Sequence, residues 1–215
     1  MSAKLPPNAS VASPQAGSKL SAPAATRNSG YICDLLKRHA PHSGNALEIA
    51  SGTGQHVMAF AQALPDLLWQ PTEVADERLA SIDAYRADVP KAKIKPAQYL
   101  DATQTGWHGD VPAQDCIVLI NLLHLISTPQ TETLIQEAVA ALAPAGKFIL
   151  YGPFKRSGHL TSEGDARFDA DLRGAEPAIG YKNDDDIEAW LLAAGACEVS
   201  RVEMPANNLA FIATR

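Results

Sequence analysis

The chain is expected to fold as α/β: a mostly parallel seven-stranded sheet with helices on both faces and an antiparallel hairpin at its C-terminal edge. Three observations predict this. From about residue 26 onward, short apolar runs alternate with segments of helical periodicity. The run at 116–120 is continuously apolar, as in a strand buried on both faces, and 147–151 reads as another buried strand. The last two runs, 198–203 and 209–214, are joined too briefly for a parallel crossover, which needs about a dozen residues or more.

The elements follow in order. Residues 1–25 are rich in Ala, Ser and Pro and carry few large apolar side chains, so they are expected to be a flexible tail. The domain is expected over 26–215. Asn28 or Ser29 can cap a first helix whose apolar side is Tyr31, Ile32, Leu35 and Leu36, ending near Pro41. A strand is expected at 46–49, then a glycine-containing turn at 50–54. A helix through Val57, Phe60, Ala61 and Leu64 follows, then a strand at 68–73 and a helix at 76–87. A weaker strand falls somewhere in 93–100. After the strand at 116–120 comes a helix at 130–142, stopped by Pro144 and Gly146. The strand at 147–151 leads into a polar insertion, and a helix at 185–194 ends on Gly195.

Composition narrows the function classes. The chain has 215 residues, of which 46% are hydrophobic, enough for one sizeable core and short for two ordinary domains. A formal net charge of -6 provides no general attraction for phosphates, so nucleic acid is not an expected partner. No run approaches the roughly 18 apolar residues of a membrane helix, and no apolar leader follows the N-terminus, so a cytoplasmic location is expected. Cys33, Cys116 and Cys197 form no CxxC pair and read as buried free thiols. The six histidines make no metal-binding spacing, and no metal site is expected.

The residues that carry chemistry lie after strands. Leu47-Glu48-Ile49-Ala50-Ser51-Gly52-Thr53-Gly54-Gln55-His56 follows the first strand and opens a helix. In doubly wound folds this turn touches a cofactor, and glycines let the backbone approach it. Two cofactor classes compete, against a tight turn that binds nothing. A nicotinamide site of GxGxxG type wants its third glycine where Val57 stands. The acidic Glu48 is typical of the S-adenosyl-L-methionine version, with Ala50 in place of the usual first glycine. Ala50, Ser51, Gly52 and Gly54 would then cradle the ligand, with Glu48 engaging its ammonium.

Glu73, about twenty residues on, ends the second strand and can accept bonds from ribose hydroxyls, unless it is a solvated loop acid. Asp101 can receive the adenine amino group if the third strand ends beside it. Asn121, directly after the strand at 116–120, would face the cofactor and the acceptor. His124 is either a proton acceptor near neutral pH or a buried, hydrogen-bonded histidine.

These motifs, with Trp69-Gln70-Pro71, Tyr151-Gly152-Pro153-Phe154 and Met204-Pro205-Ala206-Asn207-Asn208-Leu209, resemble a family of bacterial and eukaryotic class I methyltransferases. It is a domain-of-unknown-function family whose animal members are called methyltransferase-like 26. The likeness runs from about Thr26 to the C-terminus. It implies a Rossmann-like class I fold and S-adenosylmethionine binding, and supplies no acceptor. Arg27-Asn28 also matches the family, and Arg27 would either cover the cofactor's carboxylate or anchor the helix start. Two departures stand out. Glu73 replaces a frequent Asp, and Asp165 replaces Asn in the family's Ser-Asn-x-x-Phe-Asp segment.

Methyl transfer from a sulfonium is an in-line displacement that mainly needs positioning. The expected acceptor is a small molecule held between Asn121, His124 and the segment 151–169. Tyr151, His159 and Asp169 are the further candidates to orient or deprotonate it. A monomer or homodimer is expected. The competing readings are a non-catalytic S-adenosylmethionine-binding or scaffolding protein and, more distantly, a nicotinamide-dependent reductase.

Overall fold

In a computed structural model the described residues are 5–7 and 9–215. Strands β1 (Ser13–Pro14) and β2 (Leu20–Ser21) pair as a small antiparallel hairpin. The main body follows in the order α1 (Pro23–His39), β3 (Gly44–Ile49), α2 (Gln55–Ala63), β4 (Leu67–Glu73), α3 (Asp76–Ala87), β5 (Gln98–Tyr99) and β6 (Gln114–Ile120). Then come α4 (Thr128–Ala141), β7 (Leu142–Pro153), α5 (Glu163–Ala175), α6 (Asp184–Ala193), β8 (Glu198–Met204) and β9 (Asn208–Thr214).

Seven strands form one sheet in the order β5-β4-β3-β6-β7-β9-β8. The pairs from β5 to β7 are parallel, and β9 runs antiparallel to both β7 and β8, as expected from the short 204–208 connection. Chain order reverses between β3 and β6. Ligands bind outside the carboxyl ends of strands at such a switch point.

Strand alternation builds two cores from continuous apolar runs. Leu47, Ile49, Ile117, Leu119, Phe148 and Leu150 face α4 and α6. Ala46, Trp69, Val118 and Ile149 face the other way, against Ile32, Leu35 and Leu36 of α1 and Val57 and Phe60 of α2. Helix α4 begins at Thr128, two residues before the expected start, because Ser127 forms a reciprocal capping box with Gln130.

Several expectations need correction. Helix α1 begins at Pro23, so a domain boundary at residue 26 falls inside it. Pro23 occupies the first turn, where its missing N–H costs nothing. Neither Asn28 nor Ser29 caps the helix: the Ser29 hydroxyl donates back to the Ala25 carbonyl at 2.6 Å, and Asn28 bonds His56. Tyr31 is exposed, and Ala25 joins the buried side instead. The polar insertion contains helix α5, capped by Ser162, whose hydroxyl accepts the Asp165 N–H. The strand within 93–100 shrinks to Gln98–Tyr99, with Ile94 bridging to Trp69 on the other side of Pro96. Of the three free thiols only Cys116 is buried; Cys33 is half-buried and Cys197 exposed.

The expected flexible segment falls partly on residues 1–4 and 8, which lie outside the described ones. Its described residues include the β1–β2 hairpin and the first turn of α1. No helix among the described residues is long and apolar enough to cross a membrane.

Candidate cofactor and acceptor site

The chain turns sharply after β3. Ala50 and Gly52 have φ of 53° and 60°, and Gly54 has φ of 93° as it opens α2. The bend is stapled to the adjoining strand. Ser51 N–H donates to the Thr72 carbonyl at 2.8 Å, and the Ser51 hydroxyl accepts from Thr72 N–H at 3.2 Å. Gly54 packs so closely that a Cβ there would lie 2.9 Å from the Ile82 backbone. At Gly52 a Cβ would meet nothing within 4 Å. One glycine is required by packing against α3; the other leaves open space above the turn.

Two carboxylates border this elbow. Glu73, at the end of β4, accepts the Gly52 N–H at 3.0 Å on one oxygen and the Val74 N–H at 2.9 Å on the other. Arg78 at the start of α3 is 3.7 Å away. Glu73 is therefore a buried acid ordered by the elbow, not a solvated one. Glu48 is 1% exposed, and its Oε2 has no hydrogen-bond partner among the described residues. Burial pushes its carboxyl up to about 8; the Ser51 hydrogen bond opposes the rise and the Glu73 charge adds to it. An acid left in this state suits a cationic or hydrogen-donating ligand group, which would supply the missing partner. The buried Glu48 oxygen, the open space at Gly52 and the acid at Glu73 fit the ammonium, backbone and ribose ends of S-adenosylmethionine.

On the other side of the switch point Asn121 ends β6 with φ of 55°, its N–H bonded to the Tyr151 carbonyl at 2.9 Å. The Asn121 amide oxygen stands over Gly152, where a Cβ would lie 3.6 Å from it. Asp101 lies beyond β5 and closes its own turn, accepting from Thr103 N–H at 3.0 Å and Thr103 hydroxyl at 2.6 Å on one oxygen. Gln104 reaches the other oxygen at 3.2 Å. Arg27 is exposed and its side chain makes no hydrogen bond or ion pair with the described residues, so that side chain does not anchor the start of α1.

Of the four residues expected to handle the acceptor, His124, Tyr151 and Asp169 are buried and His159 is exposed. His124 is buried, its ring edge-on to Phe168 at 5.7 Å and Tyr181 at 6.1 Å. Burial, aided by the Lys182 charge, pulls it down to about 3, so it stays neutral at physiological pH and is a poor proton acceptor. Asp169 is tied down on both oxygens: it accepts from Tyr181 N–H at 2.7 Å and from Arg173 at 2.9 Å, pinning the segment after α5. His159 is exposed in a turn closed by backbone bonds with Arg156. Tyr151 is 4% exposed, and burial raises its phenol while the neighbouring Asn28 and Asn208 amides hold it down.

Sequence reasoning missed the company Tyr151 keeps. His56 donates to Asn28 Oδ1 at 2.8 Å and stacks on Phe60, and burial lowers it to about 4. Asn28, His56, Tyr151 and Asn208 thus form a polar group between α1, α2 and the ends of β7 and β9. Each lies in a motif already noted, but nothing in spacing joins residues so far apart. Among the described residues no group of His, Cys, Asp or Glu could hold a metal ion.

The fold is similar to that of solved methyltransferases. An O-methyltransferase family protein from Burkholderia thailandensis superposes with a TM-score of 0.75 at 16% identity, covering 89% of this chain and 57% of that one. Human N-acetylserotonin methyltransferase, solved with S-adenosylmethionine, gives 0.72 at 12% identity, covering 87% and 51%. An O-methyltransferase family 2 protein from Planctomyces limnophilus, solved with apigenin, gives 0.72 at 19%, covering 89% and 60%. The chain thus spans only part of the length of each. The fold is the methyltransferase-like α/β fold, with the sheet ending in the antiparallel β7-β9-β8 arrangement. Residues 19–215 match the family described as Protein of unknown function (DUF938), and the chain belongs to that family.

Proposed function

We propose that the protein transfers a methyl group from S-adenosylmethionine to a small-molecule acceptor. The observation that carries this reading is the unpartnered, buried Glu48 Oε2 beside an elbow with open space at Gly52. When bound, the cofactor supplies an electrophilic methyl group on its sulfonium. Glu48 would hold the ammonium, the elbow backbone the amino-acid end, and Glu73 the ribose hydroxyls. Asn121, at the far side of the switch point, would help to orient the acceptor. Val57 is fully buried in the α2 face where a nicotinamide-type turn needs its third glycine, which argues against a reductase. Ala50 and the closing MPANNL motif support kinship with the methyltransferase-like 26 group.

His124 is held neutral by burial and is a poor base, which favours an acceptor that attacks already deprotonated: a neutral amine, a thiolate or a hydroxyl ionised elsewhere. Purified protein, methyl-labelled S-adenosylmethionine and a metabolite extract from the source organism test the proposal. Label is expected in a low-molecular-mass product, with S-adenosylhomocysteine formed in equal amount. S-adenosylhomocysteine should also raise the melting temperature. Stabilisation without any transfer would favour a binding protein, and stabilisation by NAD(H) alone would favour a reductase.

A further inference from the structure

A cavity of about 360 Å³ lies between the start of α4, the turn after β7, the end of α5 and the start of α6. Its volume falls in the range of small-molecule sites, about 300–1,000 Å³. None of its lining residues belongs to the elbow, and Glu48, Glu73 and Asn121 are not in its wall. Three cations line it, Lys155, Arg173 and Lys182, against one carboxylate, Asp186, with Ile179 and Trp190 as apolar wall. In a chain of net charge -6 this is a local reversal of sign.

The cations are not matched by acids. Lys182 is only 6% exposed. Its ammonium donates to the carbonyls of Ile126 at 2.7 Å and Gly180 at 3.0 Å, which leaves one of its three N–H groups, and it forms no ion pair among the described residues. A buried cation without a paired anion is costly. Burial and the Arg173 charge pull Lys182 down to about 8, while the Asp169 charge opposes them. Arg173 is near because the backbone passes against it at Gly180, where φ is 126° and a Cβ would lie 2.8 Å from Arg173 Nη2. Arg173 has a partner in Asp169, at 2.9 Å. The Lys155 side chain makes no hydrogen bond or ion pair with the described residues. Asp186 is exposed, in the first turn of α6. Two of the three cations therefore face the cavity without an acid of their own.

We propose that this cavity binds a small organic oxyanion, a carboxylate or a phosphate ester, with its charged end between Lys155 and Lys182 and its apolar part on Trp190. The anion gives both lysines the partner they lack, and charge-assisted hydrogen bonds of this kind are the strong ones. The site does not depend on the cofactor reading. Its wall is nevertheless tied to the acceptor side: Gly180 N–H donates to the His124 carbonyl at 3.0 Å and Lys182 holds the Ile126 carbonyl, both in the segment that follows Asn121.

The test is titration of the full chain at low ionic strength with benzoate, phenyl phosphate and, as the uncharged counterpart, benzyl alcohol. At least one of the two anions should bind with a Kd of about 1 mM or tighter, and benzyl alcohol at least about 10-fold more weakly. The tighter anion assigns the carboxylate or the phosphate ester. Lys155→Ala should weaken that anion about 10-fold, and Lys182→Met, which keeps the apolar stem, by at least as much. Lys155 supports no other side chain, so its variant decides the matter even if Lys182→Met fails to fold. Absence of anion binding to the parent, equal binding of benzyl alcohol, or unchanged affinity in either folded variant overturns the site.

Discussion

Glu48→Gln is expected to stabilise the ligand-free protein at pH 8 by about 1–3 kcal/mol while weakening S-adenosylhomocysteine binding about 10- to 100-fold. The two effects have one origin. Glu48 is a buried acid whose Oε2 has no partner, and its carboxyl is raised to about 8 from an ordinary value of 4.5. Between those values the native chain holds a proton that the unfolded chain has lost. Stability from this group is therefore complete below about pH 4.5 and is lost as pH rises through about 8. Gln keeps the shape of the protonated acid and removes that slope, so chemical denaturation at pH 5 and pH 8 should show its advantage growing with pH. A ligand ammonium would reverse the logic by favouring the carboxylate. Binding at pH 7 should then release up to about one proton, read by calorimetry in buffers of different ionisation enthalpy, and the Gln variant should release less. Equal affinity and equal proton release in both proteins would remove Glu48 from the site.

The second large effect separates two glycines in one turn. Gly54→Ala should cost about 2–4 kcal/mol of stability, because a Cβ at φ 93° would press on the Ile82 backbone at 2.9 Å and neither side can yield cheaply. Gly52→Ala should cost only about 1–2 kcal/mol, the penalty of a left-handed residue with no collision. Its methyl group projects into the open space over the elbow, so it should lose ligand affinity out of proportion to stability. Urea midpoints and ligand titrations on the two variants decide the matter. Equal losses of stability, or an unchanged affinity for Gly52→Ala, would mean that the space over the elbow is not where the ligand lies.

The parts of this molecule legible in its sequence are those whose signal is local. Strands β6 and β7 are apolar on both faces because helices cover both, so they appear as continuous runs. The β8–β9 hairpin is legible because its connection is short. Glu48 and the elbow are consecutive, and Glu73 lies one helix away, so strand-end logic alone finds them. The start of helix α1 is not legible because Ala, Pro and Ser before residue 26 look like tail, yet Pro23 is well placed in a first turn. Helix α5 was hidden because only Asp169 and Leu172 on it are buried, too few to impose a helical period. His124 and Asp169 were visible as polar residues at suggestive places. Their burial and contacts depend on Phe168, Arg173 and Tyr181, brought in by α5 and the segment after it. The His56, Asn28, Tyr151 and Asn208 group draws on four separate elements, and only the sheet order brings them together.

The most direct measurement is a crystal structure of the protein with S-adenosylhomocysteine. The account predicts the amino-acid end of the nucleoside against the backbone of 50–54, its ammonium on Glu48 Oε2 and its ribose hydroxyls on Glu73. A nucleoside bound elsewhere, with Glu48 Oε2 still unpartnered and the space above Gly52 filled by protein side chains, would contradict it.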